Sequence, residues 1–382
     1  MHFDLTEDQK SLRDVLNAFF QRKFGSAQGV EATMALTLDR ALWKDIGELG
    51  LGGILVPEPA GGLGMGLLTL TVVAETLGHY AVPAPVVPGA IAAWLIAEHG
   101  SPAQRERWLG GLLSGDLIAA FALSESDGPG PDAWRLGNPA TGVKLSVERA
   151  DEADLLIVGT ANGRLALIAG DAEGVVLIPA DPLDRSRPFA DVAFEGVSLD
   201  PIDADDTAVR QLIDALLITH AADALGAATA IQQRAVEYAK ERKQYGRLIG
   251  SFQALKHQLA DMSVELEPSR PLCWYAAYAW DTDRPDAHRV ATITKAHLGE
   301  IAVNVSRAAI EAFGGIGYTW EFPAHLFLKR AMVDRSALGT PAYHRERAAA
   351  LAGWRESNDR VENRVDEATR SGATQCAVAG AN

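Results

Sequence analysis

Cationic and amide side chains crowd one short stretch, residues 241–262, ERKQYGRLIGSFQALKHQLADM. Arg242, Lys243 and Arg247 carry positive charge, and Gln244 and Gln253 carry amides. A guanidinium suits bidentate contact with a phosphate, and an amide suits an adenine edge. A plainer reading stands beside this one: Lys and Arg near a helix terminus are favoured by the helix dipole and are usually solvated. Elsewhere the chemistry-bearing residues read as structural. The pair Asp205-Asp206 before Thr207 suits the N-terminus of a helix, and His220 on an Ala-rich run suits a buried, hydrogen-bonded histidine. Trp274, Tyr275 and Tyr278 read as core. No spacing of His, Cys and acidic residues suggests a metal.

The elements around the cationic stretch follow from periodicity. A long Ala-rich helix ends at it, Tyr245-Gly246 breaks the helix, and a second one restarts with Phe252, Leu255, Leu259 and Met262 at the spacing of a buried stripe. Upstream, residues 4–22 start with Asp4, Thr6 and Glu7 ahead of Leu12, Val15, Leu16 and Phe19, an acidic first turn and then an apolar face. Leu42, Trp43, Ile46 and Leu49 repeat the pattern up to Gly50. Further helices are expected over about 67–78, 84–99 and 102–114, the last opened by Ser101-Pro102. From Leu117 the runs IAAFALSE, GVKLSV, ADLLIVGT, LALIAG and GVVLIPA are short, apolar and punctuated by Gly, Asp and Asn, as strands are. Helical periodicity returns near Thr207 and lasts to about Trp354. The expected organisation is α+β and mostly α: a helical domain over 1–117, a small β-barrel or sandwich over 118–203, a helical domain over 204–355 and a frayed tail over 356–382.

Composition narrows the function classes. The 382 residues suffice for two or three domains with sizeable cores. A net charge of −15 supplies no basic field for nucleic acid. Two cysteines, Cys273 and Cys376, exclude a disulfide framework. The charged start MHFDLTEDQK has no apolar signal core, and no run reads as a membrane span, so the expected place is the cytoplasm.

Several stretches, in order, carry a resemblance over about residues 3–352: FDLTEDQKSLRD, ELGLGGILVPEPAGGLGMG, AETLGHY, FALSES, GVKLSV, ERKQYGRLIGSFQALKHQLADM and EAFGGIGYTWEFPAHLFLKRA. The chain resembles the acyl-CoA dehydrogenase family. That resemblance implies an N-terminal helical domain, a middle β-barrel and a C-terminal four-helix bundle, with FAD lying across a subunit interface. It also implies a glutamate that removes the α-proton of an acyl-CoA while the β-hydride passes to the flavin, and an acceptor such as an electron-transfer flavoprotein.

Residue by residue, the resemblance divides in two. Arg242 and Gln244 match positions that meet the pyrophosphate of a neighbouring subunit's flavin, and Gln253 matches one that reaches its adenine end. Gly314, Gly315 and Gly317 match the loop that lets backbone approach the ADP. Glu311 stands where the family usually has glutamine, and Thr340 falls in the family's Y-E-G-T block. The half that would hold the chain's own flavin ring departs from the pattern. A ring-packing tryptophan is replaced by Ser146, and a hydroxyl residue by Glu148, which would set a carboxylate beside an electron-rich ring. Ser124 could keep one hydroxyl contact from the family's T-E-P-x-x-G-S-D loop. Leu338 occupies the usual glutamate position in Ala337-Leu338-Gly339-Thr340. Some members place the base near the position of Leu216, but Asp214 lies two residues away and about 200° around the helix. His344 and Arg345 follow closely, and a surface or packing role suits them better than catalysis.

The groups this chain would lend persist, whereas those it would use itself are lost. The leading expectation is therefore a partner subunit that completes the FAD site of a homologous catalytic chain. Such pairs are similar to α2β2 bacterial enzymes of steroid side-chain degradation that act on bulky acyl-CoAs. A self-sufficient homotetramer with an unorthodox base and a flavin-free acyl-CoA-binding scaffold remain the alternatives, with a flavin monooxygenase on the same fold behind them because no residue suggests an oxygen-activating site.

Overall fold

The computed structural model describes residues 4–25, 33–34, 36–319 and 322–354; the tail expected over 356–382 lies outside them. Among the described residues the first α-helices are α1 (Glu7–Phe24), α2 (Arg40–Gly47), α3 (Gly66–His79), α4 (Val86–His99) and α5 over 102–114, whose middle, Arg105–Leu109, is π-wound. Their starts are written locally. Thr6 and Gln9 form a reciprocal capping box on α1, and Ser101 and Gln104 do the same on α5. α3 has no local cap. The Asp281 carboxylate, more than 200 residues away, accepts from Leu67 N at 2.6 Å and Leu68 N at 3.0 Å. That long-range cap ties the first helical layer to the last one.

The middle segment forms two sheets. Strands β1 (Ala119–Ala122), β3 (Leu155–Thr160), β4 (Arg164–Ala169) and β7 (Asp200–Pro201) make one, in the order β1-β3-β4-β7. β2 (Ala140–Glu148), β6 (Phe189–Val197) and β5 (Val175–Pro179) make the other, in the order β2-β6-β5. The strands therefore form an open, barrel-like sandwich, joined at one corner by the isolated bridge between Ser124 and Leu145. β3 is buried on both faces, which explains its unbroken apolar run. Its Leu155 and Ile157 enter the helical core, while Leu156 and Val158 face β6 residues Val192 and Phe194. β2 carries a bulge in which Leu145 and Ser146 lie between the pairs Lys144–Val192 and Val147–Ala190. Ser146 there takes a positive φ of 53°.

The last part is built on α6 (Asp206–Glu241), a hairpin of β8 (Lys243–Gln244) and β9 (Arg247–Leu248), and α7 (Gln253–Leu266). It continues through α8 (Ser269–Asp281), α9 (Ala287–Phe313), α10 (Ala324–Ser336) and α11 (Pro341–Leu351). α6, the consecutive α7 and α8, α9 and α10 form the four-helix bundle, and α11 packs on α9. Asp205 caps α6 by accepting from Ala208 N at 2.8 Å, as the acidic pair predicts. α6 is long and apolar enough to cross a membrane, but 89% of that stretch is buried inside the protein, as in a central core helix.

α6 crosses α3 at backbone contact distance. A Cβ placed on Gly226 would lie 1.9 Å from the Glu75 carbonyl oxygen, and one on Gly78 would lie 2.0 Å from the Asp223 carbonyl oxygen. Neither neighbour is a side chain that can swing aside. Gly226→Ala should therefore cost about 1–3 kcal/mol through forced helix separation, measured by denaturant unfolding. A change within about 0.5 kcal/mol, ordinary for a surface position, would show that the crossing is looser than this.

The buried stripe expected on α7 is only half covered. Met262 and Leu266 are buried, while Phe252, Leu255 and Leu259 are intermediate. α7 sits at the edge of the bundle, so α6 and α9 cover one side of it and leave the start of the helix open.

Candidate functional site

The residues expected to meet a neighbour's flavin gather at one end of the bundle and face outward. α6 ends there at Glu241 and α9 ends there at Phe313. Tyr238, Phe313 and Phe322 pack together, with ring centroids 5.3 Å apart for Tyr238–Phe313 and 4.5 Å for Phe313–Phe322. The aromatic contact holds the β8–β9 hairpin and the glycine loop at the same end. Arg242, Lys243 and Gln244 are exposed, and Tyr245 at the tip is 93% exposed. Arg247 is committed elsewhere, because its guanidinium lies 4.0 Å from the Phe252 ring centroid. Gln253 is the first residue of α7, exposed, at a helix start that has no side-chain cap.

The loop after α9 is open in the way a close backbone approach requires. Gly314 has φ 65° and ψ −144°, a conformation natural only to glycine. Among the described residues, no atom beyond the chain neighbours comes within 4 Å of the position a Cβ would take on Gly314 or Gly315. Gly317 differs: it is buried, and a Cβ there would press on the Ile310 carbonyl oxygen at 2.9 Å. Its role is to close the turn. Glu311 accepts from the Gln258 side-chain amide at 3.2 Å, so its carboxylate is tied to α7. Thr340 is exposed and caps α11 by accepting from Tyr343 N at 3.3 Å. It does not itself line the cavity described next, although the adjacent Leu338 and Gly339 do.

A cavity of about 580 Å³ lies between the sheets and the helices. Ser124, Ser146, Glu148, Leu216 and Leu338 all line it, so the positions that the resemblance assigns to the chain's own flavin ring and base are brought together here. No carboxylate stands at the base position. Leu338 has φ 55°, and His344 Nε2 lies 3.1 Å from its carbonyl oxygen. Buried Lys295 donates to the Arg335 and Gly339 carbonyls at 3.2 and 3.4 Å. His344 is thus a packing residue that fixes this turn. Arg345 is half exposed and pairs with Glu300 at 2.9 Å. Asp214, buried, binds His288 Nδ1 at 2.7 Å and is absent from the cavity wall.

The polar floor of the cavity was not visible in the sequence pattern. Arg187 reaches Asp223 at 2.7 Å and Asp334 at 2.6 Å, and its Nε lies 3.9 Å from Glu148. Arg330 grips Asp223 with Nε and Nη2, both at 2.7 Å, and its Nη1 donates to Ser186 Oγ and the Val82 carbonyl. Asp334 also holds His220 Nδ1 at 3.0 Å. His220 is therefore hydrogen-bonded, as expected, but it also lines the cavity, which was not. Burial opposes the charge on Asp223, yet Arg187 and Arg330 together hold its carboxyl well below the usual range. Asp334 shifts the other way: burial raises its pKa, and the neighbouring Asp223 adds to the rise. A signal was present in the sequence all the same. A lone acid in the apolar run LITHAADALGAATAI requires a buried partner.

Two histidines, the buried His344 and the half-buried His79, are held in the neutral form. Burial, assisted by Lys295 and Arg347, lowers His344 to about 3, and burial near Arg234 and Arg270 lowers His79 to about 4. The unfolded chain binds protons that the folded chain refuses. Stability is thus fully present above about pH 6.5 and falls as pH drops through about 4 and then about 3. Each group contributes a slope of up to about 1.4 kcal/mol per pH unit in its window. Urea midpoints at pH 7.5, 5.5 and 4.5 should decline in that order; a flat series would contradict the assignment.

FAD is the family's cofactor, and the two groups of residues fit it unequally. The open glycines, the exposed Arg242 and Gln244 and the uncapped start of α7 fit an ADP moiety approaching from outside. The cavity side chains do not reproduce a ring site: Ser146 offers no aromatic face, Glu148 contributes a carboxylate, and the guanidiniums are bound to acids.

Comparison with known proteins agrees with the architecture. Family models of the acyl-CoA dehydrogenase N-terminal and C-terminal domains match residues 6–116 and 208–352. Acyl-CoA dehydrogenase IpdE2 of Mycobacterium tuberculosis is 30% identical over 338 residues, covering 88% of this chain and 94% of that one. A chain of the Tcur3481-Tcur3483 steroid ACAD, solved as a variant, superimposes with a TM-score of 0.83 at 29% identity, covering 92% of this chain and 99% of that one. A chain from the structure of the electron transferring flavoprotein of Acidaminococcus fermentans gives 0.83 at 28%, with 92% and 99% coverage. With its helical, sheet and helical parts in the family's order and both family models matched, this chain belongs to the acyl-CoA dehydrogenase family.

Proposed function

We propose that this chain is the non-catalytic subunit of a heteromeric acyl-CoA dehydrogenase, completing the FAD site of a homologous catalytic partner. The carrying observation is the asymmetry within one chain. Its outward-facing hairpin and glycine loop are open, whereas its own cavity has Leu338 at the base position and an Arg187–Glu148 pair in the floor. FAD, when bound, accepts the hydride from the acyl β-carbon. In this reading Arg242 neutralises pyrophosphate charge, the amides of Gln244 and Gln253 orient the dinucleotide, and Gly314 and Gly315 let the backbone approach it. The partner supplies the glutamate and the ring pocket. A neighbour named as the pair Tcur3481-Tcur3483 supports a two-chain assembly and a bulky, steroid-type acyl-CoA as substrate. A neighbour from an electron transferring flavoprotein structure supports such a protein as the electron acceptor. A cytoplasmic location belongs to the same reading, since the substrate is a CoA ester.

The test is to purify this chain alone and together with the product of an adjacent dehydrogenase-like gene, then record flavin absorbance and acyl-CoA oxidation. The chain alone should be colourless and inactive, and the complex should hold about one flavin per two chains. Yellow, active protein from this chain alone would overturn the proposal.

A further inference from the structure

The cavity is well built despite lacking a base, and its chemistry selects a ligand. One wall is apolar, from Leu77, Val87, Pro88, Phe121, Leu216 and Leu338. At the floor, the cationic charge is already paired: the two Nη atoms of Arg187 are held by Asp223 and Asp334, and Arg330 is held by Asp223, Ser186 and Val82. Neither guanidinium therefore offers an unpaired charge to a ligand carboxylate or phosphate. The groups not saturated in this way are acceptors. Glu148 is 24% exposed and stands 3.9 Å from Arg187, beyond hydrogen-bond length. His220 Nδ1 lies 3.0 Å from the Asp334 carboxylate, an acceptor that the tautomer with its proton on Nδ1 would satisfy, and in that tautomer Nε2 presents a lone pair at the cavity wall.

We infer that this chain's own cavity binds a second ligand, distinct from the flavin: an apolar molecule carrying a hydroxyl group, which donates to His220 Nε2 or the Glu148 carboxylate. A volume of about 580 Å³ falls in the range of small-molecule sites. A ligand carboxylate would face Glu148 without a free cation, so anions are rejected. An ammonium group would meet Glu148 but would have to give up its hydration beside two guanidinium charges that repel it, which disfavours it relative to the neutral alcohol. Asp334 is a positioning residue, because it orients His220 and does not line the cavity itself. The inference rests on the reading that this cavity holds no flavin ring.

Three probes that share one apolar body separate the chemistries: 1-adamantanol, 1-adamantanecarboxylate and 1-adamantanamine, titrated calorimetrically into the co-purified complex. The alcohol should bind most tightly, and His220→Phe or Glu148→Gln should weaken it about tenfold, the value of one hydrogen bond to a strong acceptor. Flavin content, read from absorbance of the same samples, should not change. Tighter binding of the carboxylate or the amine, equal binding by both variants and the parent, or no binding of any probe would each overturn the inference. A stoichiometry of one flavin per chain would instead sink the subunit reading on which it rests.

Discussion

Arg242→Ala in the co-purified complex should release flavin, raising its dissociation constant about 10–100-fold at neutral pH. Arg242 caps the end of α6 through its backbone, with its N–H on the Tyr238 carbonyl at 2.9 Å and its carbonyl accepting from Ile249 at 2.8 Å. The side chain is exposed at the root of the hairpin. Removing it leaves the backbone bonds of the hairpin intact. A charge-assisted hydrogen bond contributes about 1.5–3 kcal/mol, which gives the expected range. Lost affinity with an unchanged unfolding midpoint would assign the guanidinium to the cofactor. Equal flavin retention by the variant would remove Arg242 from the site. Raising the salt concentration should weaken the parent complex more than the variant, since the ion pair is reached from solvent.

Asp223→Ala should be the most destabilising of the substitutions considered, at about 3–5 kcal/mol in denaturant unfolding. Asp223 is buried and shared by Arg187 and Arg330, so its loss strands two guanidiniums beneath the cavity. The partners come from the loop before β6, from α6 and from α10, and Arg330 also reaches the Val82 carbonyl after α3. The substitution therefore unties the contact among all three parts of the chain. Its pH signature has a definite sign. Because the folded carboxyl is held well below the usual range, its contribution is present above about pH 4 and is lost as pH falls below that. The parent should lose stability more steeply than the variant in that acid range. A penalty below about 1 kcal/mol at pH 7 would mean that solvent reaches the cluster and screens it.

How legible each part was depended on the range of the interactions involved. Capping boxes at Thr6-Gln9 and Ser101-Gln104 span three residues, and strand punctuation is equally local, so the order of helices and strands could be read directly from the chain. The hairpin and glycine loop proposed to meet a neighbour's flavin could be picked out for the same reason, since each is a short continuous segment. The ion cluster was not. Arg187 and Asp334 are 147 residues apart, Arg330 and Asp223 are 107 apart, and no periodicity reports such a pairing. Half coverage of the α7 stripe was missed as well, because apolar spacing reports a face that prefers burial and not whether a neighbour is present to bury it.

The amino-acid sequence by itself determined the family architecture, the missing carboxylate at Leu338 and the survival of Arg242, Gln244, Gln253 and the glycine loop. Each of these is a residue type at a position in a short motif. Only the tertiary structure decided that Ser146, Glu148 and Leu338 line one cavity, that His220 lines it too while held by Asp334, and that Thr340 caps a helix and does not itself face that wall. The physical reason is that a buried charge is stable only with its partners, and those partners are chosen by how distant helices and strands pack.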